Sequence, residues 1–150
     1  WQCIRPRDGF PAARASAEQA LAIDPDLGEA YIPLAWVQFL YDWDFAAAER
    51  SHRLAMRLAR GDPRAHEAFA FFLAAMGREH EAMTVVHDGG LHHSSLILNP
   101  KAGVLYISGR FEESIPVFQL GLMTNPDSLL QNSKIGSAYW FIGKEKRTEF

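Results

Sequence analysis

The chain has 150 residues, of which 48% are hydrophobic and 22% charged, with a formal net charge of −3 and one cysteine, Cys3. This length predicts one domain or part of one, and the apolar fraction excludes an intrinsically disordered chain. A single cysteine excludes an internal disulfide and a cysteine-based zinc site, and the negative charge argues against a dedicated nucleic-acid binder.

The sequence shows neither a membrane span nor a secretion signal. No apolar run approaches the roughly 18 residues of a spanning helix, and no signal peptide is recognised. The chain begins at Trp1 and its pattern is cut at Phe150. We therefore expect a piece of a longer protein that works in the cytoplasm.

Helical periodicity fills the segments between the proline and glycine markers. No segment keeps a period-two alternation, so the sequence predicts an all-α fold without strands. Residues 27–41 are apolar nearly all round, which predicts a helix buried on more than one side. The predicted helices span residues 12–23, 27–41, 45–60, 65–76, 80–88, 95–108, 112–124 and 128–142.

The chain contains an internal repeat. Gly77, Gly109 and Gly143 each follow a helical pattern, at spacings of 32 and 34 residues, where glycine can end a helix in the left-handed conformation. One helical hairpin cannot bury its apolar face alone, so repeats of about 34 residues predict hairpins stacked into an α-solenoid. Small residues recur in register at Ala13, Ala48, Ala82, Ser114 and Thr148.

Two places depart from this period. Pro25 and Pro63 are 38 residues apart, which we attribute to about four extra residues in the turn before residue 45. Gly89 and Gly90 predict an early helix end, and Pro100 predicts a kinked or delayed helix. We therefore expect irregular structure near residues 87–101.

Two segments carry a family resemblance. Residues 135–144, with Ile-Gly-Ser-Ala-Tyr followed by Gly-Lys, resemble the core of the tetratricopeptide repeat (TPR) family. Residues 41–50, with Trp-Asp-Phe-Ala-Ala-Ala-Glu, resemble TPR regions of large bacterial regulatory and signalling proteins. The resemblance covers about residues 12–150 and implies a right-handed superhelix of antiparallel helix pairs, each formed by a helix A and a helix B.

The resemblance implies how one solenoid divides into units. After an irregular lead-in over 1–11, residues 12–23 would be a trailing helix B, followed by the four units. Units 1 to 4 would span residues 26–60, 64–90, 94–124 and 127–150, the last one truncated.

The resemblance also implies a binding groove, because helix A of each TPR unit lines the concave face that holds a partner segment. The groove would be apolar and aromatic, with the tryptophans as anchors, although several of its members could instead belong to the core between repeats. The predicted groove residues are Glu29, Ile32, Trp36, Phe39, Glu67, Phe71, Ala74, Ser133, Ser137 and Trp140.

An arginine cluster and a histidine cluster can each be interpreted either as a binding site or as an ordinary solvent-exposed surface. Arg50, Arg53, Arg57 and Arg60 lie on one face of a predicted helix, either as a docking stripe for an acidic partner or as its solvent face on the convex side. His87, His92 and His93 crowd one turn region without the spacing of a metal motif. We predict a solvated loop there, with no metal and no cofactor.

The sequence contains no catalytic motif, so we predict a non-enzymatic interaction or scaffold module. Its partner would be a protein or peptide rather than nucleic acid or membrane, and exposed terminal repeats could pair two copies. The alternative is a regulatory TPR segment of a larger bacterial transcription regulator, nucleotide cyclase or kinase that packs on its effector domain. A metal- or ligand-binding helical protein is a third interpretation.

Overall fold

A computed structural model describes residues 5–89 and 99–148, and all the regular structure in these two ranges is α-helical. The all-α prediction is therefore confirmed for the described residues. The helices are α1 (Pro6–Ile23), α2 (Gly28–Leu40), α3 (Phe45–Leu58), α4 (Pro63–Ala75), α5 (Glu79–Asp88), α6 (Pro100–Ile107), α7 (Phe111–Thr124) and α8 (Leu129–Thr148).

The chain divides into two compact units, with the boundary between Phe69 and Ala70 inside α4. In the first unit, α1 packs on α2 and α2 packs on α3. In the second unit, α5 packs on α6, α6 on α7, and α7 on α8. Each helix of these series packs on its neighbour in sequence, as in a chain of hairpins, whereas one continuous solenoid remains a prediction.

The first unit is built on small buried residues. Ala35, Ala48 and Ala55 on α2 and α3 are fully buried. Gly28, the first residue of α2, approaches the end of α3 so closely that an added Cβ would lie 2.3 Å from the backbone nitrogen of Ala59. The absence of a side chain at Gly28 therefore allows this contact.

The second unit has an aromatic core. Ala102 on α6 and Phe118 on α7 are fully buried at its centre. Aliphatic and aromatic side chains from α4, α6, α7 and α8 surround them, and burying a phenylalanine of this kind contributes roughly 2 to 3 kcal/mol. The surrounding residues are Phe71, Tyr106, Val117 and Ile135.

Two turns of the second unit repeat the same geometry at the predicted spacing. Gly77 and Gly109 both adopt a left-handed conformation, with φ of 75° and 78°, and the next helix begins two residues later. In each turn the N–H after the glycine donates to the carbonyl five residues earlier, at 2.8 and 2.9 Å. Ala82 and Ser114, five residues after each glycine, are fully buried. The sequence repeat is therefore also a structural repeat at these two turns.

The arginine that follows each glycine reinforces the turn. Arg78 pairs with Glu81 at 2.7 Å, and Arg110 pairs with Glu113 at 2.5 Å. Arg110 also pairs with Glu79 of the preceding hairpin, which links the two repeats.

The extra residues near Pro25 are not where we predicted them. The turn between α2 and α3 spans 41–44, only one residue more than the corresponding turns 76–78 and 108–110. The other three extra residues lie before α2. The helix α2 begins three residues after Pro25, whereas α4 begins at Pro63 itself. The prediction of about four extra residues in the turn is therefore wrong.

The prediction of an irregular lead-in over 1–11 is also wrong for the described part of that range, since α1 begins at Pro6. A proline is tolerated in the first turn of a helix, where its missing N–H would have no partner. Asp8 lies in this first turn, where a negative charge is favourable, and pairs with Arg5 at 3.0 Å.

The fourth predicted turn, at Gly143, does not form, because α8 continues through it to Thr148. Glycine permits a left-handed turn but does not impose one, and inside a helix it costs only about 1 kcal/mol relative to alanine.

The predicted irregular stretch 87–101 is described only at its two ends. The helix α5 extends to Asp88 and α6 begins at Pro100, while residues 90–98 lie outside the described residues. The delayed start that Pro100 predicted is confirmed. Asn99 caps α6, since its side-chain Oδ1 accepts from the N–H groups of Lys101 and Ala102 at 3.1 and 3.4 Å.

This cap provides a first test. Asn99 is buried, so Asn99→Ala is expected to destabilise the protein by about 1 to 2 kcal/mol, because two helical N–H groups lose their acceptor. Asn99→Asp keeps the acceptor and is the matched control. Urea unfolding measures both, and an equal loss in the two variants would contradict a capping role.

Candidate functional site

The predicted groove residues on α2 differ in where they face. Glu29 is exposed and pairs with Arg64 at 3.2 Å, whereas Ile32, Trp36 and Phe39 are half-buried. The ring of Trp36 meets the imidazole of His52 edge-on, at a centroid distance of 5.9 Å. Trp36 therefore contributes to packing between α2 and α3.

The groove residues predicted on α4 are largely enclosed. Ala74 is buried, and Phe71 is half-buried against the core of the second unit. Glu67 is half-buried, and this burial raises the pKa of its carboxyl. These side chains offer little surface to a partner.

The three groove residues predicted on α8 lie on one side of the helix, where Ser133 and Trp140 are exposed and Ser137 is half-buried. Ser133, Ser137 and Trp140 follow each other at spacings of four and three residues, which places them on the same side of the helix. Trp140 is 56% exposed, and Leu129 on the same face is 85% exposed. An Ala Cβ at Gly136, between them, would meet no atom within 4 Å.

The opposite side of α8 is its packing face. Gln131 and Ala138 are buried there, and Ile135 packs against the core of the second unit. The exposed and the buried residues therefore fall on opposite sides of α8, which packs through one side and exposes the other. We call Leu129, Ser133, Gly136, Ser137 and Trp140 the α8 face.

All four arginines of the predicted basic stripe are exposed, with Arg50, Arg53 and Arg57 on α3. The prediction of one helix face is wrong for Arg60, because α3 ends at Leu58 and Arg60 lies in the turn that follows. Arg53 pairs with Glu49 at 2.5 Å and lies over the ring of Phe69 at 5.5 Å. The Nε–H of Arg60 donates to the carbonyl of Arg57 at 3.2 Å, so part of the stripe is engaged within the chain.

The histidine cluster is described only in part, since His92 and His93 lie outside the described residues. His87 contacts the carboxylate of Asp88 at 3.3 Å. Among residues 5–89 and 99–148, no three His, Cys, Asp or Glu side chains are grouped to hold a metal ion.

Sequence reasoning missed a buried histidine on α3. His52 is fully buried, with the Phe69 ring stacked at 5.7 Å and Trp36 edge-on. Burial lowers its pKa to about 4, although the negative charge of Glu49 acts in the opposite direction. His52 is four residues from Ala48 and three from Ala55, and this spacing places all three on one face of the helix. The spacing was the available signal that His52 is buried.

Sequence reasoning also missed the conformation of Trp43, in the turn between α2 and α3. It has a φ of 59° and its side chain is 72% exposed. A left-handed backbone costs an ordinary residue about 1 to 2 kcal/mol. The available signal was its spacing of 34 residues from Gly77, which places Trp43 at a glycine position of the repeat.

A polar cleft of about 520 Å³ opens beside Gly28, between the ends of α1 and α3 and the starts of α2 and α4. Arg64, at its edge, pairs with Asp62 at 2.7 Å. This hydrogen bond raises the pKa of the guanidinium and lowers that of the Asp62 carboxyl. Asp24, Asp26, Glu29 and Asp62 line the cleft together with Arg60 and Arg64, so four acidic side chains face two basic ones and the cleft keeps a net negative charge.

Comparison with protein-family models, curated proteins and solved structures finds no match. In the part of the chain that is described, none of the helices has the length and hydropathy that crossing a bilayer requires. The candidate sites therefore depend on the geometry of this chain alone, and on the α8 face Trp140 is the more exposed of the two predicted groove tryptophans.

Proposed function

We propose that this chain is a non-catalytic protein-binding module of TPR-like helical repeats, which binds an apolar segment of a partner along the α8 face. The observation that carries this proposal is the exposure of Leu129 and Trp140 on one side of α8, opposite its packing face. Exposed aromatic side chains such as that of Trp140 are enriched at interaction surfaces.

The chemistry of the α8 face suits a segment that lies along the helix. Leu129 and Trp140 are separated by 11 residues, or roughly 16 Å of helix. Between them, Ser133, Gly136 and Ser137 are small, and the Ser137 Oγ–H donates to the Ser133 carbonyl at 2.9 Å. A partner can therefore approach the middle of the face closely while its apolar side chains cover the two ends.

Trp140 is the expected anchor of this surface. Its indole is positioned by Lys144, whose ammonium lies 5.5 Å from the ring centroid one helical turn away. Tryptophan is enriched among residues that dominate binding energy, because it buries a large rigid surface at little entropic cost.

Selection of random displayed peptides on the chain tests this proposal. We expect apolar peptides whose affinity falls at least about tenfold on Trp140→Ala, because truncating an anchor of this kind costs roughly 2 kcal/mol. The thermal midpoint should change by less than about 2 °C, since the side chain is mostly exposed.

The matched control is Tyr139→Ala. Tyr139 is equally exposed, at 56%, but it is turned by about 100° from Trp140 around the helix. Peptides that tolerate Trp140→Ala, or that lose as much affinity on Tyr139→Ala, would contradict binding along the α8 face. A fall in the midpoint of Trp140→Ala by many degrees would instead assign Trp140 to the core.

A further inference from the structure

The turn between α2 and α3 places a tryptophan where the other two turns place glycine. Trp43, Gly77 and Gly109 all have left-handed φ values, of 59°, 75° and 78°, and each lies two residues before the next helix. The residue five positions later is a fully buried small residue in all three cases. The α2–α3 turn is one residue longer, and the N–H of Asp44 donates to the carbonyl of Gln38, six residues earlier, at 2.9 Å. The three turns thus share the position of the left-handed residue but not their full geometry, and two of them have glycine at that position.

Burial does not offset the unfavourable backbone of Trp43. The side chain is 72% exposed, and its ring meets Phe45 edge-on at a centroid distance of 6.2 Å. A bulky residue at positive φ is a genuine outlier, and such outliers cluster at functional positions. The large exposed indole is therefore best explained by a contact outside the chain.

The surroundings of Trp43 extend this aromatic surface. Tyr41 and Phe45 are also exposed, at 44% and 38%. Tyr41 stacks on Phe10 at 5.5 Å, and Phe45 packs against Phe39 at 6.0 Å. These rings are thus held in place before any partner arrives, which lowers the entropic cost of binding.

The charge around Trp43 is negative. Asp42 and Asp44 flank it in sequence, while Arg14 is the cation that pairs with Asp42. Asp44 caps α3, with Oδ1 accepting from the N–H of Ala47 at 2.9 Å. Among the contacts of the described residues, two carboxylates face one guanidinium at this turn, which favours a cation there, and the face of an indole is the best aromatic partner for a cation.

We propose that Trp43, with Tyr41 and Phe45, forms a docking surface for a basic segment of a partner protein. An arginine or lysine of that segment lies over the indole and beside the carboxylates of Asp42 and Asp44. This surface belongs to the first unit, and it does not depend on binding along the α8 face.

The test uses the full chain and an array of 12-residue peptides that carry one to three arginines. Each peptide is paired with a version in which citrulline replaces arginine, which keeps the shape and removes the charge. We expect the chain to bind a subset of the arginine peptides and to lose at least about tenfold in affinity for their citrulline versions.

Trp43→Gly separates a binding role from a structural one. Binding of the arginine peptides should fall at least about tenfold, while the thermal midpoint stays the same or rises by up to about 4 °C, because glycine relieves the left-handed backbone. A midpoint that falls while peptide binding is unchanged would overturn the proposal and assign Trp43 to the stability of the turn.

Two further variants complete the test. Asp44→Ser removes one negative charge but keeps a capping oxygen, so binding should weaken several-fold with little change in midpoint. Trp140→Ala should leave arginine-peptide binding unchanged, so the test of this surface is independent of the test of the α8 face.

Equal binding of arginine and citrulline peptides would overturn the proposal. So would self-association of the chain that Trp43→Gly abolishes, because the occupant would then be a second copy.

Discussion

Gly28→Ala is expected to destabilise the protein by about 3 kcal/mol, a loss that urea unfolding measures directly. The added Cβ would lie 2.3 Å from the nitrogen of Ala59 and 2.7 Å from the carbonyl carbon of Leu58. Both are backbone atoms at the end of α3, so no side-chain rotation can relieve the contact. The start of α2 and the end of α3 must separate, which disturbs the packing of the first unit.

Gly136→Ala is the matched control for this substitution. Gly136 also lies in a helix, but its added Cβ would meet nothing within 4 Å. Alanine is the better helix former by about 1 kcal/mol, so this variant should be as stable as the parent or slightly more stable. If Gly28→Ala were as stable as Gly136→Ala, the close approach of α2 to α3 would be contradicted.

The helices could be predicted because local signals set their ends. The helices α4 and α6 begin at a proline, and the turns before α5 and α7 contain a left-handed glycine. Gly143 shows where such signals fail, because α8 passes through it. A glycine lowers the cost of a turn, but neighbouring contacts decide whether one forms.

The candidate site could be predicted only in part, because periodicity defines a helix face without naming what covers it. On α8 the predicted residues Ser133, Ser137 and Trp140 lie on the open side. On α2, which is apolar nearly all round, Trp36 instead meets His52 of α3. The difference comes from tertiary packing, because α3 covers this side of α2, which no local pattern of α2 reveals.

Trp43 and His52 were missed for different physical reasons. Residue type argues against a positive φ at Trp43, so only alignment with Gly77 could have indicated its left-handed conformation. The environment of His52 depends on Phe69, which is 17 residues away in sequence and stacks on it only in the folded chain.

Stability is expected to fall by about 3 kcal/mol as the pH drops from 6.5 to 4, through His52 alone. The pKa of His52 is lowered from 6.5 to about 4 in the folded chain, first of all by its burial. Between these values the unfolded chain binds a proton that the folded chain excludes. The contribution is therefore fully present above pH 6.5 and lost as the pH falls towards 4.

Other groups change stability over the same range, so the comparison must isolate His52. Burial raises the pKa of Glu67, so its contribution to stability is lost as the pH rises, opposite in sign to that of His52. A hydrogen bond from Arg64 lowers the pKa of Asp62, whose contribution is lost as the pH falls. The contributions of Glu67 and Asp62 are common to the parent and His52→Leu, so they cancel when the free energies of unfolding of the two proteins are subtracted at each pH.

The expected difference is a parent profile that falls by about 3 kcal/mol more than that of His52→Leu between pH 6.5 and 4, measured by urea unfolding at each pH. Glu49→Gln supplies a second, independent variant. The charge of Glu49 raises the pKa of His52, so its removal should extend the fall to lower pH. Parallel profiles for the parent and His52→Leu would show that the imidazole is protonated in the folded chain at mildly acid pH. Such a result is incompatible with its position between Trp36 and Phe69, because a charged ring enclosed by two aromatic side chains loses most of its hydration.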